Sequence, residues 1–300
     1  LTLITKIQYR NYEPGEFSDS KARTYEDTIL LIENFPWQQQ REHLIVSPTG
    51  PSITIESGLG EYLKLALYYE GKFVLYYLDA TGHLYTKSFP AYRESFPWIQ
   101  SFFEQRFTTD DLKLEQHWPH GKLIHFRDMD FSYSPKILGI LTSIALFAVL
   151  CLFLLTSTFG LLLTTVLPKP QIYIVPPIFF LLLSLLLVRM ALFINYYLVA
   201  RDRSLVLSRG NDIFYYGPAG NLQRFDKKDI REIVVYGSGS RRLEIDGFIR
   251  IEMQSVTTPC IYIPYMVLHK GPLLSKLAGY PQREKFSFFP FIPLSSPVPS

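Results

Sequence analysis

Three histidines and two carboxylates crowd one short stretch: His117, His120 and His125 in HWPHGKLIH, followed by Asp128 and Asp130. Imidazole and carboxylate groups are zinc ligands, so the cluster raises the question of a metal site. Its spacing matches neither a helix face nor a zinc finger. The competing reading is an interfacial linker in which Trp118, Phe126, Phe131 and Tyr133 sit at headgroup depth beside Arg127 and Lys136. Elsewhere Ser57, His83 and Cys260 stand without partners at a readable spacing. Residues 1–116 contain no Gly-rich phosphate loop, no nucleophile elbow and no metal-spaced Cys/His set. The expectation is therefore no catalytic residue, no metal, no cofactor and no enzymatic activity.

Basic side chains form the second candidate set. Arg203, Arg209, Arg224, Lys227, Lys228, Arg231, Arg241 and Arg242 follow the apolar centre of the chain, with Arg241 and Arg242 paired in the loop YGSGSRR. Beside an anionic leaflet each is worth about 1 kcal/mol, which makes them candidate lipid-headgroup contacts. Asp202, Asp212, Asp226, Asp229 and Glu232 are interleaved with them, the pattern of an ordinary solvated surface. Tyr62, Tyr68, Tyr76 and Tyr85 are a third set, either a partner-binding surface or the packing of a half-exposed sheet.

Charge divides the chain. Residues 1–116 carry 11 Lys+Arg against 16 Asp+Glu, a net −5; residues 117–300 carry 19 against 11, a net +8. Different partners are expected for the two parts. A membrane suits the basic half better than nucleic acid does, because its charges flank an apolar centre.

That centre is the element that positions the rest. Residues 137–166 carry no charge and exceed the ~20 residues needed to cross a bilayer. After a short link at 167–171, residues 172–200 are apolar except for Arg189. The pair reads as a transmembrane helical hairpin over 137–200. Lys122, Arg127 and Lys136 precede it and Arg201, Arg203 and Arg209 follow it, which places both termini in the cytoplasm. Arg189 is either a charge within the bilayer or a side chain at the cytoplasmic rim. Cys151 and Cys260 are far apart, so no disulfide framework is expected, and no apolar leader opens the chain at Leu1.

The flanks read as two domains. In residues 1–116, Thr24 with Asp27 signals a helix start, and Tyr25, Ile29 and Ile32 recur at helical spacing. A period of two then runs through Leu63, Leu65, Leu67 and Tyr69, through Phe73, Leu75 and Tyr77, and through 83–89. Helical spacing returns at Tyr92, Phe96, Ile99 and Phe103. The expectation is an α+β sandwich with a meander of about four strands. A linker at 117–136 follows. Beyond the hairpin, residues 201–280 show short strands at 204–207, 212–216, 230–236, 247–253 and 260–264 and a helix near 265–277. This is a mainly-β domain with a terminal helix. The Pro/Phe-rich tail, 281–300, is expected to lack a regular element.

Two resemblances bear on function. The segments ENFPWQQQ, TGPSITIES, GEYLKLALYYEGKFVLYYLD and HLYTKSF are similar to small α+β immunity proteins of bacterial polymorphic-toxin systems, which implies capture of a cognate toxin. The segments RDRSLVLSRGNDIFYYG, FDKKDIREIVVYGSGSRR and GFIRIEMQS resemble bacterial pleckstrin-homology-like domains that follow a two-span hairpin. That resemblance implies a curled sheet binding lipid headgroups, peptides or its own kind. Together they imply a non-enzymatic protein of the bacterial inner membrane. Its expected role is toxin capture, with a lipid- or peptide-binding scaffold as the alternative.

Overall fold

The structure is a computed structural model that describes residues 1–42, 48–117, 120–135, 137–163, 169–237, 247–254, 260–287 and 289–293. The chain divides into two compact units, Leu1–Asp130 with Ser208–Asn211, and Phe131–Leu207 with Asp212–Ser300.

The first unit contains β1 (Leu3–Gln8), β2 (Ser18–Arg23), α1 (Tyr25–Asn34), α2 (Trp37–Gln40), β3 (Ser52–Glu56), β4 (Tyr62–Leu67), β5 (Phe73–Leu78), β6 (His83–Phe89), α3 (Phe96–Phe103) and β7 (Lys113–His117). The strands form one antiparallel sheet in the order β2-β1-β3-β4-β5-β6-β7. The expected meander is its central part. The Thr24 side chain accepts a hydrogen bond from the Asp27 N–H at 3.2 Å, a cap worth about 1 kcal/mol. Ile32 of α1 and Ile99, Phe102 and Phe103 of α3 cover one sheet face, against residues such as Leu63, Leu65 and Leu75.

The opposite face is covered as well. Tyr62, Val74, Tyr76 and Leu78 pack there around Phe126, which is completely buried. Every residue of β4 and β5 is buried, so both faces of these strands are core. This corrects two expectations. Tyr62 and Tyr76 are interior residues rather than surface contacts, because Phe126 arrives from much later in the chain to roof them. Phe126 is likewise a core residue rather than an exposed one in a linker, and the unit continues through the expected linker as far as Asp130.

The second unit contains β8 (Ser132–Tyr133), α4 (Ile137–Leu163), α5 (Lys169–Ala200), β9 (Arg203–Val206), β10 (Ile213–Pro218), β11 (Gln223–Asp226), β12 (Ile230–Gly237), β13 (Gly247–Met253), β14 (Cys260–Pro264), α6 (Lys270–Lys276) and β15 (Gln282–Phe286). Two four-stranded sheets, β11-β10-β9-β8 and β14-β13-β12-β15, enclose a core closed by Leu273 and Leu277 at α6. Ser132 pairs with Val206 and Tyr133 with Leu205, so the strand before the long helices is bonded to the strand after them. The helix pair is thus an insertion within this unit, not a connector preceding it. Part of the tail is also structured, since β15 runs parallel to β12 at the sheet edge.

Candidate functional site

The side chains of α4 and α5 have two kinds of surroundings. On α4, Leu146, Val149, Leu152, Phe153 and Leu155 are exposed. Ile144, Phe147, Cys151 and Leu154 are more covered, at the three- and four-residue spacing of a single helix face. Phe147 meets Phe193 of α5 with ring centroids 6.0 Å apart. On α5, Ile178, Phe180, Leu181, Leu185 and Leu187 are exposed. At Leu192 the pattern changes. Leu192, Phe193, Asn195, Tyr196, Val199 and Ala200 are buried, an i, i+3, i+4, i+7 stripe.

That stripe packs on the sheet. Leu192, Tyr196 and Val199 form a cluster with Val234 and Tyr236 of β12, Phe248 of β13 and Ile292 of the tail. Strand β12 alternates between this cluster and the inner core, where Ile233 and Val235 lie. Burial on both faces explains its apolar run IVVY.

The tail closes over the same region. Asn195 makes two bonds to one residue: its Nδ2 donates to the Ile292 carbonyl at 3.0 Å, and its Oδ1 accepts from the Ile292 N–H at 2.8 Å. The Tyr196 hydroxyl donates to the Pro290 carbonyl at 2.9 Å. The Asn195 amide and the Tyr196 hydroxyl thus meet polar backbone groups on an otherwise apolar helix face. Above this latch lies a groove of about 500 Å³ between α5 and Phe286, Ser287, Phe289 and Pro290, with Arg189 on its wall. Arg189 lies just before the buried stripe begins and is itself exposed.

The sequence-derived basic set is dispersed. Arg203 lies over the Tyr216 ring, 5.5 Å from its centroid. Lys227 is buried, at 2 % exposure. Lys228 pairs with Asp226 at 2.9 Å, and this hydrogen bond holds the Asp226 carboxyl below the usual carboxylate range. Arg224 and Arg231 are exposed on β11 and β12. Arg209 belongs to the first unit, where its backbone N–H donates to Glu13 at 2.8 Å. Arg241 and Arg242 lie outside the described residues, as do Trp118, Lys136 and part of the expected link between the helices. Among the described residues these cations do not converge on one pocket. Of the tyrosines, Tyr68 and Tyr85 remain partly exposed.

Within the first unit, the structure assembles a polar row that the sequence does not announce. Lys6 of β1, Thr54 of β3, Lys64 of β4 and Tyr76 of β5 are register partners across four strands, and all are buried. Lys6 pairs with Asp128 at 2.8 Å and lies 3.5 Å from Glu56. Lys64 donates to Gln8 at 2.8 Å and to the His125 carbonyl at 2.9 Å. Burial, reinforced by the neighbouring Lys6 charge, pushes the Lys64 ammonium well below its ordinary value. The His125 ring meets the Thr49 hydroxyl. Among the described residues no three metal-ligating side chains converge, and His125 and Asp128 serve to fasten the covering segment to the sheet. At Lys6 and Lys64 only strand alternation was legible; their burial depends on that distant segment.

A family model described as a PH domain matches residues 132–275, which places a PH-like domain there, opening at β8 and containing both long helices. No curated protein and no solved structure matches the chain.

Proposed function

We propose that this chain is a non-enzymatic binding protein anchored in a membrane by α4 and α5, with its PH-like domain held at the cytoplasmic surface. The observation that carries this reading is the change along α5: apolar and exposed before Leu192, apolar and packed on the sheet after it. Among the described residues one segment, Phe180–Ala200, is long and apolar enough to cross a bilayer, with a mean hydropathy of 1.9. Its last nine residues supply the stripe that packs on the domain, so the embedded part of α5 lies earlier. Residues 169–191 of α5 extend about 34 Å at 1.5 Å per residue, enough for the ~30 Å hydrocarbon core. Helices satisfy their own backbone groups, and exposed leucines on both helices suit lipid where they would be a liability in water. Arg189 then falls at the cytoplasmic rim. In fractionation, the full chain should stay with the membrane pellet through an alkaline carbonate wash; release into the supernatant would end this reading.

For the first unit the proposed role is capture of a protein partner, and the partner class is a cognate bacterial toxin. The net −5 of residues 1–116 supports a basic partner. A groove of about 600 Å³ beside Trp37, Arg41, Phe73 and Tyr92 offers a concave, aromatic-lined seat. The test is survival of cells exposed to the product of a neighbouring toxin gene, with co-purification of that product on the full chain. Survival unchanged by expression of this protein would leave the scaffold role of the PH-like domain standing alone.

A further inference from the structure

The groove between α5 and the tail has the chemistry of an amphiphile site. Its helix wall is leucine, valine and Tyr196 with a single charge, Arg189, and among the described residues no acidic side chain lines it. Among the described residues Arg189 has no ion-pair partner. A guanidinium against an apolar wall loses hydration and gains most from a bidentate oxyanion such as a phosphate. Its level is set by the fold: Arg189 precedes the residue at which α5 enters the domain, where bilayer gives way to protein and water. The opposite wall is held in place, since Asn195 and Tyr196 latch the backbone at Ile292 and Pro290 and Ile292 is 1 % exposed. Phe286 and Phe289 rim the groove with exposed rings, as aromatic side chains do at membrane interfaces.

We infer that this groove holds one anionic phospholipid, with an acyl chain along Leu182, Leu185 and Leu186 and the phosphate on Arg189. The site is separate from the basic set on the PH-like domain, and it rests on the reading of α5 as membrane-embedded. A cation on an apolar wall selects an anionic amphiphile; a peptide would leave backbone donors unpaired against leucine.

The experiment uses the full chain, purified in mild detergent and returned to nanodiscs of mixed phosphatidylglycerol and phosphatidylcholine, with retained lipid counted by native mass spectrometry. The expected result is one phosphatidylglycerol per chain, preferred about ten-fold over phosphatidylcholine. Arg189→Gln should reduce the preference to near unity, and Arg189→Lys should keep part of it. Asn195→Ala, which unlatches the tail and leaves Arg189 in place, should also lower retention. Equal retention of both lipids by the unaltered chain, an unchanged preference in Arg189→Gln, or a co-purified peptide in place of lipid would each overturn the inference. Carbonate extraction run in parallel separates the causes: a chain that stays in the pellet but shows no preference lacks this site alone, whereas an extracted chain loses the anchor as well.

Discussion

In the helix pair, leucines and phenylalanines face outward; in the N-terminal sheet, two lysines are completely buried. Both regions invert the usual placement of their residue types, and for opposite reasons. Lys6 and Lys64 are interior because a covering segment supplies Asp128, the His125 carbonyl and the Phe126 ring, and Gln8 accepts from Lys64. Many side chains of α4 and of α5 before Leu192 are exposed, and on the proposed reading a hydrocarbon solvent is the surrounding that stabilises them. Residue type sets the cost of a placement. The surroundings decide whether that cost is met.

The contrast can be pressed hardest at Tyr196, where α5 becomes part of a protein core. Tyr196→Ala should remove about 3–5 kcal/mol from the second unit, read by denaturant unfolding of the detergent-solubilised chain. Next in size is a charge placed in the exposed half. Leu181→Asp should cost about 2.5–3.5 kcal/mol of insertion free energy, whereas Leu198→Asp, exposed on the domain side, should leave insertion unchanged. Equal effects at the two positions would erase the proposed division of α5. Asn195→Ala should weaken the tail latch by about 1–3 kcal/mol, seen as new protease cleavage after Phe286 with the rest of the unit intact.

Per pH unit, the smallest effect belongs to the buried lysine. Because the folded-state value of Lys64 lies below the ordinary 10.5, the unfolded chain binds more protons between the two values. Stability of the first unit should therefore rise with pH from that depressed value up to about 10.5, by no more than ~1.4 kcal/mol per pH unit for one proton. Lys64→Met should flatten this slope, and an unchanged slope would show that Lys64 is solvated.

Much of the local structure was legible. The cap at Thr24, the periods through β4, β5 and α3, and the strands β12 to β14 follow from alternation and turn chemistry. The edge strands β2 and β7 were not, because SDSKAR and KLEQH carry too few apolar residues to mark a face. Strand β8 is two residues long and exists through its pairing with β9. Of the candidate site residues that the structure describes, Arg189 alone lies in a groove with a describable chemistry, while Lys6 and Lys64 went unmarked because strand alternation cannot reveal a roof.

What the sequence determined by itself is therefore the periodic and compositional content: two long apolar helices, the alternating strands, and a charge imbalance between the halves. Those properties depend on neighbours within a few residues. Tertiary structure alone decided that β8 and β9 close a PH-like domain around the helix pair, that Tyr62 and Tyr76 are core, and that α5 changes surroundings at Leu192. Each of these rests on residues dozens of positions apart, and hydropathy scores a leucine identically whether lipid or protein will cover it.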